Sequence, residues 1–173
     1  MLDDFVWIEI KDGNGTARQL FDRHYSRYFY KDGRKPKLFV GPGEKMVLMT
    51  SDQSALFVWR KFISGDGQEG VNCAIFRNEG PLLSSYLILE AEKMAHERWG
   101  DQRFYTYINA RKIKSANPGY CFKVAGWRVC GTTKRHKLII MEKAPWLEER
   151  RPNETDSFQT DRRGEKGRTW GMV

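Results

Sequence analysis

Two side chains in the sequence could accept a proton during a reaction, His24 and Glu79. The imidazole of His24 has an ordinary pKa of about 6.5, so it suits a general base or a metal ligand at neutral pH. The alternative for His24 is a solvated histidine on a helix surface. Glu79 follows a predicted strand, and its alternative role is an ion pair with Arg77 across the turn. Tyr25 adds an aromatic ring directly beside His24.

Basic residues form three groups that could bind phosphate. The chain carries 30 Lys and Arg against 22 Asp and Glu, a formal net charge of +8, and its pI is near 9.5. This balance favours a polyanionic partner, either nucleic acid or a phosphate-bearing cofactor. The alternative for each group is a charged, solvated loop. The groups are Arg34, Lys35 and Lys37; Arg111, Lys112 and Lys114; and Lys134, Arg135 and Lys137.

The cysteines and the apolar pattern argue against several classes of protein. Cys73, Cys121 and Cys130 are too few for a disulfide framework and lack the CxxC spacing of a zinc site. We expect free thiols in a reducing cytoplasm. No apolar run reaches the roughly 20 residues of a membrane helix, so no membrane partner is expected. The acidic beginning, Met1 to Asp4, differs from the basic leading segment of a signal peptide.

The elements that must position these residues begin with strands around one helix. Alternating apolar residues predict the strands, and the polar breaks Ser51–Gln53 and Ser64–Gly67 predict hairpin connections. Ala17, Leu20, Phe21 and Tyr25 have helical spacing. The predicted elements are a strand at 5–10, a helix from Asn14 to about Tyr30, a basic loop at 31–43, and strands at 45–49, 55–62 and 71–77.

The longest predicted helix runs from Ser84 to Trp99. It has one continuous apolar stripe, and Gly100 lies where a left-handed C-terminal cap is expected. Ser84 and Ser85 are interpreted as N-terminal caps. Their alternative role is hydrogen bonding to the carbonyl or phosphate of a donor molecule. The stripe consists of Leu87, Ile88, Ala91, Met94, Ala95 and Trp99.

The last third of the chain predicts further strands around a short helix. Asn117 and Pro118 form a helix-start signal, since Asn can cap and Pro suits the first helical position. The order of elements predicts an α+β domain at 1–144. The polar segment 145–173 is interpreted as a flexible tail, with an alternative role as a polyanion-binding arm. The remaining predicted elements are a strand at 103–109, a helix that ends at Gly126, and a closing hairpin of 127–130 and 137–141.

Residues 71–80 and 122–127 resemble motifs of the GNAT superfamily of N-acetyltransferases. The second run, Phe-Lys-Val-Ala-Gly-Trp, is similar to the family's aromatic–x–Lys–x–Gly–aromatic ending, with the Lys displaced by one position. The resemblance implies a mixed, mostly antiparallel sheet whose central strands are splayed and flanked by helices. It also implies that acyl-coenzyme A lies between the fourth and fifth strands, with its pyrophosphate at the start of the long helix.

The sequence departs from that family at two functional positions. Arg77 and Gly80 fit the phosphate loop, but Pro81 has no N–H and Leu82 replaces a small residue. Acetyl-CoA or another acyl-CoA therefore stays possible with a degraded phosphate loop, and the donor is otherwise unknown. Phe122 replaces the family's Tyr acid and cannot protonate a leaving group, which leaves Tyr120 as the nearest phenol. The candidate cofactor-binding residues are Arg77, Asn78, Gly80, Ser84 and Ser85.

Within this fold, the chain is most similar to the phage Mom-type DNA modification proteins, which place a carbamoylmethyl group on adenine N6. The features that carry the resemblance are His24-Tyr25, the segment from Arg77 to Ser85, and the basicity. It implies a DNA-modifying transferase that protects DNA from restriction, with His24, Tyr25, Glu79 and Tyr120 as candidate catalytic residues. We expect the first two basic groups at the mouth of the cleft, along the DNA backbone. The alternatives are an acyl-CoA-dependent N-acyltransferase and a non-catalytic DNA-binding module.

A flipped adenine needs aromatic side chains to hold it. The candidates near the cleft are Tyr25, Tyr28, Tyr30, Trp59, Tyr105, Tyr107 and Tyr120, each with core or sheet packing as its alternative.

Overall fold

Seven strands form a single open sheet. The structure is a computed structural model, and it describes residues 6–145. Residues 146–173 of the predicted tail and Phe5 of the predicted first strand lie outside the described residues. In chain order the elements are β1 (Trp7–Ile10), α1 (Gly15–Asp22), β2 (Glu44–Thr50), β3 (Ala55–Lys61), β4 (Val71–Asn78), α2 (Ser84–Trp99), β5 (Phe104–Ile108), α3 (Tyr120–Val124), β6 (Arg128–Thr132) and β7 (Ile139–Lys143).

The sheet is mostly antiparallel, which confirms the predicted α+β class. Its strand order is β1-β2-β3-β4-β5-β7-β6. The predicted hairpins β2–β3, β3–β4 and β6–β7 are all antiparallel pairs. The pair β4–β5 is parallel, since α2 carries the chain back along the sheet. Because β7 lies between β5 and β6, the last hairpin joins the sheet through its second strand.

Alternate residues of each strand contribute to two separate cores. On β2, Met46 and Leu48 pack into the core with α2 and α3, whereas Val47 and Met49 pack into the core with α1. Successive side chains of a strand point to opposite faces, so the helices cover opposite faces. We call these the α2 face and the α1 face.

Helix α1 is much shorter than predicted. Its beginning is as expected, because the Asn14 Oδ1 atom accepts hydrogen bonds from the N–H groups of Thr16 and Ala17. The helix ends at Asp22 and not near Tyr30. The reason lies just beyond it, where the Ser26 N–H donates to Nδ1 of His24 at 3.2 Å. A side chain that takes up a backbone donor competes with helix continuation.

Helix α2 has the predicted bounds, and Gly100 caps it with φ of 68°. The interpretation of Ser84 and Ser85 as caps is wrong, because Leu83 occupies the N-cap position without a side-chain hydrogen bond. The serines instead lie in the first turn. The helix is also anchored from the sheet, since Trp59 Nε1 donates to the Ala91 carbonyl at 2.9 Å.

Helix α3 begins later than predicted. Asn117 does not cap it, and Gly119 precedes it in a left-handed conformation with φ of 75°. A Cβ atom at Gly119 would lie 2.6 Å from both Ile108 Cδ1 and Met141 Sδ. Close packing against the sheet therefore fixes the entry into this helix, and the Asn117 side chain accepts a hydrogen bond from Lys123 instead.

No helix within residues 6–145 combines the length and the apolar composition that crossing a membrane would require.

Candidate functional site

The parallel strands β4 and β5 are paired over only part of their length. Three residue pairs join them, and the last is Cys73 with Thr106. Beyond this pair β4 continues to Asn78 and β5 continues to Ile108 without pairing to each other. A cavity of about 350 Å³ opens where the strands part. We call it the strand-gap cavity, and its volume is in the range of small-molecule sites.

A bulge in β4 accounts for the parting of the strands. Trp59 of β3 pairs with Cys73, and the preceding residue, Val58, pairs with Ile75. Ala74 is therefore the extra residue of a β-bulge, directly after the last position that pairs with β5. A bulge bends its strand and increases the local twist. The bend turns β4 away from β5, and Ala74 becomes part of the cavity wall.

His24 forms part of this wall from the turn that follows α1. Its side chain is buried, with 8% relative exposure, so it is not a solvated histidine on a helix surface. Its Nδ1 atom lies 2.7 Å from the Ser26 hydroxyl and accepts a hydrogen bond from the Ser26 N–H. Burial, followed by the charge of Arg77, lowers the pKa of His24 to about 4, although a backbone hydrogen bond with Phe76 acts in the opposite direction. The ring is therefore neutral at pH 7 and a weak base.

Tyr25 lies beside His24 in the same cavity. The two rings stack with their centroids 4.5 Å apart. Burial raises the pKa of the Tyr25 phenol above its ordinary value, and a backbone hydrogen bond with Asn109 opposes that shift. The phenol therefore keeps its proton at neutral pH and can donate a hydrogen bond inside the cavity.

The opposite wall comes from β5 and α3. Tyr120 lies at the rim with 61% relative exposure, whereas Phe122 is almost fully buried. Cys73 and Cys121 also line the cavity, and burial raises the pKa of both thiols. Both therefore remain protonated at neutral pH, which argues against either as a nucleophile.

The aromatic candidates for holding a base divide into three sets. Trp59 and Tyr105 are completely buried within the sheet layers, whereas Tyr28 is exposed and Tyr30 packs edge-on against it. The remaining three candidates line the strand-gap cavity: Tyr25, Tyr107 and Tyr120.

Glu79 is not part of the cavity lining. Its carboxylate accepts two hydrogen bonds of 2.8 Å from Arg23 and also pairs with Arg77. These contacts, with Arg23 the largest cause, lower the pKa of Glu79 to about 2. The ion pair across the turn is thus present, together with a second arginine that the sequence analysis did not include. A carboxylate held in this way is a poor proton acceptor at neutral pH.

The loop between β4 and α2 does not present a free phosphate cradle. The Asn78 side chain accepts from the Gly80 N–H at 2.9 Å and donates to the Leu82 carbonyl at 2.7 Å and to the Ser84 hydroxyl at 3.0 Å. The Glu79 N–H donates to the Ser54 carbonyl. A Cβ atom at Gly80 would lie 2.0 Å from the Ser54 hydroxyl oxygen, so this glycine is needed for packing within the chain.

These contacts do not fit a pyrophosphate bound in the manner of the GNAT family. The N–H groups of residues 79 and 80 are already satisfied, and Pro81 has none. The Asn78 side chain holds the loop together, and the first turn of α2 keeps backbone N–H groups without helical partners.

The basic groups lie at different distances from the cavity. Lys112 is at the rim, where its Nζ atom donates to the Tyr25 carbonyl at 3.3 Å. Arg34, Lys35 and Lys37, which we expected at the same mouth, are not among the residues that line the cavity. Their loop packs against the start of α1, because Arg18 donates to the carbonyls of Pro36 and Lys37. Arg34 itself pairs with Asp32 and lies over the Tyr30 ring at 4.2 Å.

Comparison of the chain with protein-family models, with curated proteins and with solved structures gives no match. The site is therefore interpreted from its own geometry. Among residues 6–145, no three His, Cys, Asp or Glu side chains are grouped as metal ligands would be.

The sequence analysis missed most of the residues that line the strand-gap cavity. Cys73, Ala74 and Thr106 belong to it because β4 bends away from β5 at this level. The bulge arises because the adjacent residues Val58 and Trp59 of β3 pair with Ile75 and Cys73, on either side of Ala74. The sequence of β4 contains no glycine that would have marked such a bulge.

Proposed function

We propose that the chain is a GNAT-like transferase that modifies nucleic acid, with carbamoylmethylation of adenine N6 in DNA as the model reaction. In this proposal the modification protects DNA from restriction, as in the Mom-type proteins. The observation that carries it is the strand-gap cavity, which has the neutral His24 and the protonated Tyr25 stacked in its wall.

The proposed step is a substitution at the carbon that is transferred. The lone pair of N6 forms a new N–C bond, and the donor's bond between that carbon and its leaving group breaks with the electron pair on the leaving group. Tyr25 gives its phenolic proton to the leaving group and takes the proton that N6 loses. A half-buried phenol beside a neutral imidazole supports this role better than Glu79, whose ion pairs hold it outside the cavity lining.

The closed β4–α2 loop supports a donor that is not held by the family's pyrophosphate contacts. Phe76, Phe122 and Ile108 form an apolar part of the cavity wall. Such a wall excludes water from a reactive group and strengthens hydrogen bonds to it. His24 then orients the Tyr25 ring by stacking, because its own Nδ1 atom is occupied by Ser26.

Charge at the cavity rim supports nucleic acid as the acceptor. Lys112 contacts the Tyr25 carbonyl, and Arg111 belongs with it to a short 3₁₀ helix, Ala110–Lys112. Both side chains are exposed, as is Lys114, and they lie on the chain segment that leads into the cavity wall at Ile113 and Ser115. Cations beside a cavity of this kind would neutralise backbone phosphates next to a flipped base.

Nucleoside mass spectrometry after expression in a bacterial host tests the proposal. DNA from cells that express the chain is expected to contain an adenine derivative and to resist restriction enzymes. Tyr25→Phe is expected to reduce the modified fraction at least about a hundredfold, because a general acid–base group is lost. Tyr28→Phe is the matched control, since Tyr28 is 62% exposed and lies outside the cavity lining. Unmodified adenine from cells that contain folded protein would refute the proposal.

Two alternatives give different results in the same preparation. Micromolar binding of acetyl-CoA by calorimetry, with acyl transfer to an amine, would favour an N-acyltransferase of small molecules or proteins. Salt-sensitive DNA binding without a covalent product, unchanged in His24→Ala and Glu79→Ala, would favour a non-catalytic DNA-binding module.

A further inference from the structure

A second cavity, of about 660 Å³, lies on the α1 face of the sheet, over β5 and β7. Tyr107 and Ile140 point to this face, because their neighbours Ile108 and Met141 pack into the core of the α2 face. Helix α1 packs on the other half of this face, against β2, β3 and β4. We call this space the back-face cavity. It is large enough for a nucleotide.

The two ends of the back-face cavity carry opposite charge. The β6–β7 turn supplies Lys134, Arg135 and His136, and the β3–β4 turn supplies Asp66. The Asp66 carboxylate accepts a hydrogen bond from the Tyr107 hydroxyl at 2.6 Å and another from Ser64. Those hydrogen bonds, with Ser64 the largest cause, lower the pKa of Asp66, so the carboxylate is ionised and fixed in position. It is a ready acceptor for an amino group.

Tyr107 lies in the walls of both cavities. A group that binds beside Asp66 and Tyr107 is therefore at the junction with the strand-gap cavity. The Tyr105 ring packs edge-on against the Tyr107 ring, with the two ring centroids 5.8 Å apart. The buried hydroxyl of Tyr105 has no hydrogen-bond partner within the part of the chain described. A ligand ring bound against Tyr107 would therefore contact an aromatic side chain that Tyr105 holds in place. Nucleobases stack on aromatic side chains of this kind.

We propose that the back-face cavity binds one nucleotide, with its phosphate on Lys134 and Arg135 and the amino group of its base on Asp66. The base stacks on Tyr107, and its amino group faces the strand-gap cavity. The proposal rests on the proposed function, since it assigns where the acceptor base lies in that reaction. It specifies a base with an exocyclic amine, because an ionised carboxylate can only accept hydrogen bonds.

Calorimetric titration of the full chain with 2′-deoxyadenosine 5′-monophosphate tests the site. Deoxyadenosine and inorganic phosphate are titrated separately to divide the contributions of base and phosphate. Lys134→Ala/Arg135→Ala is expected to weaken binding of the nucleotide about tenfold, because charge-assisted contacts to phosphate are lost. Lys11→Ala/Lys31→Ala removes the same charge from exposed positions outside the cavity lining and is expected to change the affinity less than about twofold. An equal loss of nucleotide affinity in both variants would show that the effect comes from net charge alone, and it would overturn the proposal.

A second comparison tests recognition of the amino group. The wild-type chain is expected to prefer the adenine nucleotide to 2′-deoxyinosine 5′-monophosphate, which has a carbonyl in place of the amine. Asp66→Asn is expected to reduce that preference about tenfold, since the amide can also donate to the carbonyl. Binding of inorganic phosphate as tight as that of the nucleotide, or no preference in the wild-type chain, would overturn the proposal.

The failures of the two proposals are distinguishable. Nucleotide binding that depends on Asp66 and Arg135, without any modified adenine in cells, would support this site and refute the proposed reaction. Full modification of adenine in cells by both Lys134→Ala/Arg135→Ala and Asp66→Asn would refute this site and leave the reaction standing.

Discussion

The two halves of the sheet differ in how they are covered. Strands β2, β3 and β4 lie between α1 on one face and α2 on the other, and their central residues are buried on both faces. Strands β5, β7 and β6 have α2 and α3 on one face only, and β6 is exposed along most of its length. Both cavities are bordered by β5, the strand at which this change occurs.

This difference separates stability from binding. A strand that is covered on both faces buries apolar side chains on each of them, and the stabilisation grows with the buried apolar area. The first half is therefore expected to contribute most of the free energy of folding. In the second half no described helix covers the α1 face, and there Tyr107 and Thr132 remain accessible to a ligand. The following predictions test that division, from the largest expected effect to the smallest.

Trp59→Ala is expected to destabilise the fold by about 3–5 kcal/mol, because it leaves a large cavity between the sheet and α2. The Trp59 side chain is completely buried and donates a hydrogen bond to Ala91. Val129→Ala on β6, where the residue is 50% exposed, is expected to cost less than about 1 kcal/mol. Urea unfolding measures both changes, and similar losses in the two variants would contradict the division.

Glu92→Ala is expected to cost about 3–5 kcal/mol, because it leaves the partly buried Lys143 charge without its carboxylate partner. Glu92 is 4% exposed, and it accepts hydrogen bonds of 2.6 Å from both Lys143 and Trp127. The Glu92→Met/Lys143→Met double variant is expected to recover most of the loss. Glu90→Gln, in the exposed pair with Lys93, is the control, with an expected change below about 1 kcal/mol. Failure of the double variant to recover stability would show that the loss comes from packing and not from charge.

Acidification is expected to weaken the fold through His24. The pKa of this ring is lowered from 6.5 in the unfolded chain to about 4 in the folded chain. Between these values the unfolded chain binds more protons, so this contribution is complete above pH 6.5 and is lost as the pH falls towards 4. The full change is about 3 kcal/mol.

The measurement is the free energy of unfolding of wild type and His24→Gln between pH 7 and pH 4. The variant is expected to show a smaller slope with pH, whereas the exposed His136→Gln control is expected to follow wild type. A slope unchanged by His24→Gln would contradict the burial of a neutral ring.

Gly70→Ala is expected to cost more than about 1 kcal/mol and to loosen the paired end of β4 and β5. Gly70 has φ of 118°, and a Cβ atom there would lie 2.2 Å from the Arg103 carbonyl oxygen. That carbonyl accepts the hydrogen bond from the Val71 N–H. Hydrogen exchange at the Val71 amide measures the effect, with Gly65→Ala as the control because a Cβ atom there contacts nothing within 4 Å. Unchanged protection of Val71 would contradict the close approach.

The sequence predictions were accurate where the signal lies within a few neighbouring residues, and they failed where a tertiary contact decides the structure. The bounds of α2 follow from a continuous apolar stripe and from Gly100, and both signals act within a few residues. The length of α1 was wrong because its end depends on the His24 side chain turning back to the Ser26 amide. Asn117 has the residue type of a cap, but the packing of Gly119 against the sheet set the actual start of α3.

The candidate site was likewise only partly predictable from the sequence. His24 and Tyr25 were identified from their types and adjacency, and both line the strand-gap cavity. The ion pair of Glu79 with Arg77 was one of the two roles considered, whereas the contact with Arg23 spans 56 positions in the chain. The back-face cavity was not predicted at all, because its turns come from opposite halves of the chain.

The sequence by itself determined the α+β class, the hairpins and the main helix, because periodicity, turn residues and caps act over a few neighbouring residues. Only the tertiary structure decided where the cavities lie. The bulge at Ala74 turns β4 away from β5, and the insertion of β7 between β5 and β6 brings the basic turn over the same strand. Both depend on contacts between residues far apart in the chain, and a strand's own sequence does not record which neighbour it will pair with or where that pairing ends.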